Sequence, residues 1–210
     1  MHITFVAFNF KGPDLAAEEK HYFDYHVALA KSFPGVSLYL TGRLLPIGGA
    51  KPAHLRGAIL GYDSVEAGVA AMGTEASLKV MADSQAHLTD LRLEVFEAEV
   101  VIPFEKGKPG APRFVWAVAF DFKPEAGDRE TAERNYRAGH VEIARKLPGL
   151  KGYLIGRLDG ERDRIAIMVF DSADQFRAAM ASPAGLEGSK DGAATLTNLR
   201  FDRLDARLEI

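Results

Sequence analysis

Two tyrosine–histidine pairs are the residues of this 210-residue chain whose types and spacing best suit chemistry. In each pair the tyrosine precedes the histidine by four residues: Tyr22 with His26, and Tyr136 with His140. An unperturbed imidazole has a pKa of about 6.5, so it can take up and return a proton near neutral pH. It could therefore act as general base in an enolisation or an intramolecular aldol closure. The competing explanation is a core histidine hydrogen-bonded to a backbone carbonyl or a tyrosine, and the sequence leaves both open.

Four tyrosines accompany these histidines. Tyr39 and Tyr153 lie on predicted strands and could donate a hydrogen bond to a developing oxyanion. Tyr22 and Tyr136, one helical turn from the imidazoles, could orient them and contact a substrate. Aromatic packing across the sheet explains the same residues without any catalytic role.

Two arginines also recur at matching positions, Arg43 and Arg157. Each could bind a substrate carboxylate through two parallel hydrogen bonds. Each could instead form an ion pair across the sheet, Arg43 with Asp63 and Arg157 with Asp171. The sequence does not decide between these roles.

Both pairs belong to an internal repeat that spans nearly the whole chain. Tyr22–Leu44 and Tyr136–Leu158 are related by a shift of 136 − 22 = 114, and 11 of their 23 paired residues are identical. Downstream, Asp63 pairs with Asp171 at a shift of 171 − 63 = 108. The six-residue difference lies in the Gly/Pro-rich loop 46–54, which is either a lid or a tolerated surface insertion.

Each repeat reads as β-α-β-β-α-β. In the first, the pattern predicts a strand at 3–10 and one helix from Asp14 to residue 32 or 33, where Pro34-Gly35 ends it. Strands at 36–45 and 56–62, a helix to Met72, an irregular region at 73–90 and a last strand from 91 follow. We therefore predict domains at 1–102 and 113–210 with a linker at 103–112.

The predicted fold is α+β, with two ferredoxin-like repeats. Their first strands are apolar on both faces, so the sheet face that the helices leave bare must also be covered. The economical solution packs the two antiparallel sheets face to face as a dimeric α+β barrel. The sequence leaves open whether the sheets pair within one chain or in a homodimer.

Composition narrows the function classes. The chain is 47% hydrophobic and 26% charged, as expected of a globular protein, and its net charge of −3 makes nucleic acid an improbable partner. There is no cysteine, so disulfides and thiolate chemistry are excluded. With no signal-peptide pattern and no apolar run long enough to cross a membrane, we expect a cytoplasmic protein without a membrane partner.

No metal or cofactor is predicted. We find no His-x3-His pair or acidic triad on one face, and no glycine-rich loop that could cradle a phosphate. His54 and His87 are specific to the first repeat; both could add acid–base capacity to a pocket there, or both could be exposed loop residues.

The repeat resembles EthD-like proteins of the dimeric α+β barrel superfamily. Tyr and His four residues apart, a Pro-Gly helix stop and a strand tyrosine carry the likeness in both repeats. The matching segments are Tyr22–Lys31, Phe33-Pro34-Gly35 and Tyr39, then Tyr136–His140, Arg145–Tyr153, Phe170-Asp171-Ser172, Ala179-Met180 and Ser182-Pro183. Ala28 and Glu142 depart from it, since that position often holds proline in the family.

The resemblance implies a pocket between helix and sheet. Related barrels include lactone isomerases, polyketide cyclases and decarboxylases that use a helix histidine in such a pocket. Our leading hypothesis is a cofactor-independent lyase, isomerase or cyclase that acts on a small carbonyl or aromatic compound, with His26, His140 or both as general base. The alternative is a non-catalytic small-molecule binding or accessory protein in a catabolic pathway. A third is a haem- or oxygen-dependent enzyme of the same superfamily.

Overall fold

The computed structural model describes residues 1–105 and 107–210. Lys106, part of the predicted linker 103–112, lies outside the described residues. The first repeat contains β1 His2–Phe10, α1 Leu15–His21, a π-helical turn Tyr22–His26, α2 Val27–Lys31, β2 Val36–Leu44, β3 Arg56–Tyr62, α3 Val65–Met72, α4 Glu75–His87 and β4 Leu88–Ile102. The second contains β5 Pro112–Phe122, a 3₁₀ turn Pro124–Ala126, α5 Arg129–Tyr136, a π-helical turn Arg137–Val141, α6 Glu142–Ala144, β6 Gly152–Arg157, β7 Arg164–Phe170, α7 Ala173–Ala181, α8 Pro183–Thr195 and β8 Leu196–Leu208. Within the described ranges, no helix has the length and apolar character needed to cross a membrane.

Within each repeat the strands pair antiparallel and follow the split β-α-β pattern. In the first repeat β3 pairs with β1 and β2, and β1 also pairs with β4. In the second, β7 pairs with β5 and β6. The hydrogen-bonded order is β1-β3-β2-β8-β5-β7-β6-β4, and it closes on itself because β4 pairs with β1. The predicted α+β class, with two ferredoxin-like repeats in the strand order of an α+β barrel, is confirmed.

The two long strands β4 and β8 each contribute to both compact units. Unit 1 comprises Met1–Glu97, Gly107–Ala111 and Ala206–Ile210; unit 2 comprises 98–105 and Pro112–Asp205. Within unit 1 the Glu209 amide donates to the Tyr39 carbonyl at 2.7 Å, and within unit 2 Ala98 pairs with Gly156. Each unit therefore completes its sheet with the end of a strand that begins in the other repeat.

The predicted helix after the first strand forms in both repeats, but a π-helical turn interrupts it. Asp14 caps its start as expected, Asp128 does so in the second repeat, and Gly35 and Gly149 follow its end with φ of 74° and 75°. A π turn adds a single residue to one turn, so it barely disturbs the apolar spacing that predicted a continuous helix. Such turns recur at functional sites, and here they contain His26 and His140.

The expectation of an irregular region at 73–90 was wrong, because α4 occupies most of it. The side chain of Thr74 caps this helix by accepting from the Ser77 amide at 3.3 Å. Leu78 and Met81 are more than half exposed, so apolar residues on the solvent side obscured the stripe that marks a helix. In the second repeat Ser182 caps the matching helix α8.

A side-chain hydrogen bond between an asparagine and an aspartate, which we call the tie, occurs in both repeats, but the two residue types have exchanged positions. In unit 1 the Asn9 amide donates to the Asp90 carboxylate at 3.1 Å, and in unit 2 the Asn198 amide donates to the Asp121 carboxylate at 2.8 Å. Asp90 and Asn198 occupy the left-handed region, with φ of 52° and 49°. Asn and Asp are the side chains that tolerate this region best, and the tie holds the start of the last strand to the first.

Candidate functional site

Unit 2 contains an apolar cavity of about 330 Å³ between its strands and its helices. This volume is at the small end of the range for small-molecule sites. The wall consists mainly of aromatic, aliphatic and glycine residues: Trp116, Val118, Phe120, Tyr136, His140, Ala144, Leu147, Tyr153, Ala166, Met168, Met180, Ala184, Gly185, Gly188, Ser189, Gly192, Ala193, Leu196, Leu199 and Phe201. The few polar side chains among them are the groups that could orient a ligand.

His140 is the histidine in this wall, and an aspartate fixes its ring. Its Nδ1 lies 2.8 Å from Oδ2 of Asp191 on α8, and the ring stacks on Tyr136 with a centroid separation of 5.3 Å. A carboxylate oxygen can only accept, so Nδ1 donates this hydrogen bond, and Nε2 is the ring nitrogen that Asp191 leaves for a substrate proton. Among the described residues, the His140 ring makes no hydrogen bond other than the one from Nδ1 to Asp191. Its Nε2 atom is therefore available to a ligand.

Two phenols complete the polar part of the wall. The hydroxyls of Tyr136 and Tyr153 are 3.5 Å apart. Burial raises the pKa of Tyr136 well above its usual range and that of Tyr153 to about 12, so both are neutral at pH 7. Two neutral phenols carry two hydrogens, and the bond between them uses one. The second hydrogen is left to donate to a ligand oxygen.

Small residues on α8 open the cavity. Gly188 takes the place of Val80 in the first repeat (188 − 80 = 108), and Leu147 takes that of Phe33 (147 − 33 = 114). A Cβ added to Gly188 would meet only the Ile143 side chain, at an ordinary contact distance of 3.5 Å. The backbone therefore does not require glycine there, and the missing side chain leaves space in the cavity.

The matching region of unit 1 is packed with side chains. Its core cluster comprises Phe8, Phe10, Tyr22, Val27, Ala30, Phe33, Tyr39, Ala58, Leu60, Tyr62, Ala71 and Leu88, with Ala76, Val80 and others packed against it. His26 stacks on Tyr22 and its Nδ1 lies 2.8 Å from Oδ2 of Asp83, yet the residue is only 8% exposed. Burial lowers the pKa of His26, against the raising effect of Asp83. The two repeats thus share the histidine–aspartate pair, but the histidine of the first repeat is buried beside a cluster of packed aromatic and aliphatic side chains.

Asp83 and Asp191 are functional candidates that our sequence reasoning missed. They fall on α4 and α8, and α4 occupies the stretch that we expected to be irregular. The repeat contained the signal, because the two aspartates match at 191 − 83 = 108, the same shift that relates Asp63 to Asp171. Burial alone would raise the pKa of Asp83, but hydrogen bonds from His21 and His26 outweigh it and lower the pKa.

The remaining predicted site residues lie away from the cavity. Arg43 is on the surface and donates to Glu19 of α1 at 2.8 Å, rather than reaching Asp63. Arg157 is exposed at the end of β6, and His54 is partly buried in the loop between β2 and β3. Neither is part of the cavity wall. Their substrate-binding roles stay predictions, whereas His140, Tyr136 and Tyr153 do meet around one space.

Fold and site together define a structural class: an α+β protein of tandem ferredoxin-like repeats with a histidine-lined apolar pocket in its second unit. No protein-family model and no curated protein matches the sequence.

Solved structures with the same fold span the full chain. A protein from Fusobacterium nucleatum subsp. nucleatum ATCC 25586, provisionally named a monooxygenase, is 16% identical, with 99% of this chain and 93% of that chain covered and a TM-score of 0.76. A protein named anthrone oxidase-like is 13% identical, with 99% and 90% covered and a TM-score of 0.61. A shorter ethyl tert-butyl ether D (EthD) family protein from Bacillus halodurans c-125 is 23% identical, with 44% and 96% covered and a TM-score of 0.39. The two full-length likenesses show the fold.

Proposed function

We propose that the unit 2 cavity binds a small, largely apolar carbonyl or aromatic compound and that His140 removes a proton from it. The observation that carries this proposal is the His140 ring in the cavity wall, held through Nδ1 by Asp191 at 2.8 Å. A positioned histidine whose other nitrogen is bound to a carboxylate is well suited to general base catalysis. The apolar wall favours a ligand without charge.

The tyrosine pair supports the same chemistry. Removing a proton next to a carbonyl places negative charge on the carbonyl oxygen, and a neutral phenol can stabilise that charge by donating a hydrogen bond. Tyr136 and Tyr153 keep their protons at pH 7 because both are buried. One of their two hydrogens is free for this task, so Tyr153 or Tyr136 would assist and His140 would act as base.

The carbanion or enolate so formed leads to several reactions without a cofactor. It can be reprotonated at another carbon, attack a second carbonyl in the same molecule, or expel a leaving group, which correspond to isomerase, cyclase and lyase activities. Of two full-length proteins with the same fold, one is named a monooxygenase and the other anthrone oxidase-like, and direct reaction of an enolate with dioxygen would begin with the same proton removal. Proton removal is therefore the step to test first.

Exchange of carbon-bound hydrogen for deuterium tests that step. Anthrone and 2-tetralone, two aryl compounds with acidic CH₂ groups, are incubated with the protein in D₂O and exchange is followed by proton NMR. Wild type should exchange at least one of them faster than buffer, and His140→Ala should lose this acceleration by about 10²–10⁴-fold. His26→Ala is the matched control in the packed unit and should retain the activity.

The outcomes separate the candidate functions. Unchanged exchange in His140→Ala would exclude His140 as the base. Binding of both probes without accelerated exchange would favour the non-catalytic binding protein, whose support is the same apolar cavity. Oxygen uptake with anthrone would identify the oxygenation route, and a Soret band after incubation with haem would identify the haem-dependent alternative.

A further inference from the structure

A cluster of two histidines and an aspartate lies in unit 1, outside the site described above. His21 ends α1, while Asp83 and His87 lie four residues apart on α4 and so share one face of that helix. One possible ligand atom from each of the three lies within 4.8 Å of the others. The His21 and His87 rings stack with centroids 4.1 Å apart, and Nε2 of His21 is 2.6 Å from Oδ1 of Asp83.

Two further side chains hold this cluster in a manner typical of metal ligands. Oε2 of Glu18 lies 3.0 Å from Nδ1 of His87, so the carboxylate accepts the Nδ1 proton and leaves Nε2 as the ligand nitrogen. His26 donates to Oδ2 of Asp83, which leaves Oδ1 for an ion. Metal-binding histidines usually donate their other ring N–H to a carboxylate or carbonyl, and ligand carboxylates are themselves hydrogen-bonded.

Comparison with the second repeat shows that the packing of the fold does not require these histidines. The counterpart of His21 is Asn135 (135 − 21 = 114), and that of His87 is Thr195 (195 − 87 = 108), while Asp83 corresponds to Asp191. Unit 1 therefore has two additional imidazoles around an aspartate that both units share. Neither is used by the function proposed above.

We propose that His21, Asp83 and His87 bind a divalent first-row transition metal ion of the zinc type. Two imidazoles and one carboxylate are ligands that such ions prefer, whereas Ca²⁺ and Mg²⁺ prefer oxygen ligands alone. The carboxylates of Asp83 and Glu18 supply two negative charges that balance a divalent cation. Solvent reaches the site, because the His21 and His87 side chains are about one-third exposed.

Binding requires a short contraction of the cluster. Ligand atoms of a tetrahedral zinc site stand about 2.0–2.2 Å from the ion, which places them roughly 3.3 Å from one another. The ion replaces the proton shared by His21 and Asp83, which is released to solvent, and the side chains of His21 and His87 rotate toward the ion. Asp83 is only 5% exposed and stays in place, and solvent water occupies the remaining coordination position.

Cobalt and zinc titrations of the full chain, prepared without a purification tag, test the proposal. Co²⁺ should bind at one ion per chain and produce visible d–d absorption bands, and Zn²⁺ should abolish these bands by displacement. Millimolar Mg²⁺ and Ca²⁺ should not. His21→Asn and His87→Thr, which install the residues of the second repeat, should each weaken zinc binding at least 100-fold in calorimetry, and the double variant should abolish it.

His54→Asn is the matched control, because it removes a partly buried histidine that is not part of the cluster. It should leave zinc affinity and stoichiometry unchanged, and circular dichroism should show that every variant is folded. Zinc binding that survives in the His21→Asn/His87→Thr double variant would overturn the proposal. So would a loss in His54→Asn equal to that in His87→Thr, or an affinity to which only one of the two histidines contributes.

Discussion

Filling the unit 2 cavity from the position of Gly188 should stabilise the protein and block ligand binding. The first repeat has Val80 at this position, where it packs against the unit 1 core. Gly188→Val should therefore make unit 2 resemble the packed unit. An added Cβ meets only Ile143, at an ordinary contact distance of 3.5 Å, so the backbone accepts a side chain at this position.

Two contributions set the size of the effect. Replacing glycine by valine inside a helix contributes about 0.3 kcal/mol, since valine is the better helix former of the two. Three added carbon groups contribute about 0.8 kcal/mol each when fully buried, or about 2.4 kcal/mol. Because the cavity is partly open, we expect a net gain of about 1.5 kcal/mol in the free energy of unfolding. This corresponds to a melting temperature roughly 3–6 °C higher.

Urea denaturation measures the stability, and a binding titration with 2-tetralone or anthrone measures the pocket. Displacing the ligand from two carbon-sized contacts costs about 1.6 kcal/mol, so affinity should fall at least tenfold. The reciprocal change, Val80→Gly, should destabilise unit 1 by about 3 kcal/mol through a cavity and a helix glycine. If Gly188→Val lowers stability, or leaves ligand binding unchanged, then our account of the cavity is refuted.

Three other predictions follow from individual side chains. Asp191→Asn should reduce deuterium exchange about 100-fold without unfolding the protein, because an amide can donate to Nδ1 as well as accept from it and so no longer selects the tautomer of His140; an unchanged rate at matched thermal stability would count against the role of the His140–Asp191 pair. Burial raises the pKa of Tyr62 and of Tyr153 to about 12 against about 10 when unfolded, so their contribution to stability is full below pH 10 and is lost as pH rises toward 12. Because Tyr25 is 43% exposed, the test uses a Tyr25→Phe background, in which tyrosinate absorbance at 295 nm should appear together with unfolding; its appearance in folded protein at pH 10 would contradict this. Glu133→Gln should destabilise the protein by about 3 kcal/mol in urea, since it removes the carboxylate partner of the buried Arg164; a loss below 0.5 kcal/mol would show that the pair is not needed.

The internal repeat allowed the fold to be predicted from the sequence. Tyr22–Leu44 and its counterpart each contain a helix, a Pro-Gly stop and a strand, so that two weak patterns supported each other. The glycines at 35 and 149 then adopt the positive φ that ends a helix, as expected. These features depend on residues that are close together in the sequence, so a sequence pattern can predict them.

Only part of the site could be predicted from the sequence. The motif identifies the histidines, but whether a histidine lines a cavity depends on the residues that surround it. His26 and His140 have the same motif, yet one is packed and the other lines a cavity. The difference arises from residues more than 40 positions away, such as Val80 and Gly188, on helices whose exposed leucine and methionine hid the amphipathic stripe. Asp191 was missed for the same reason. A pairing of helix faces cannot be recognised until the helices are known.

The exchanged tie between Asn9 and Asp90 in one unit, and Asp121 and Asn198 in the other, bears on how the repeats diverged. A single substitution from either arrangement gives two carboxylates or two amides at a contact of about 3 Å. Two carboxylates repel each other, whereas two amides can still share a hydrogen bond. The tie is thus a case of epistasis. An order of mutations that passes through two amides keeps a hydrogen bond, whereas one that passes through two carboxylates destabilises the protein. We expect Asn9→Asp alone to be harmful, Asp90→Asn alone to be mild, and the double exchange to restore stability.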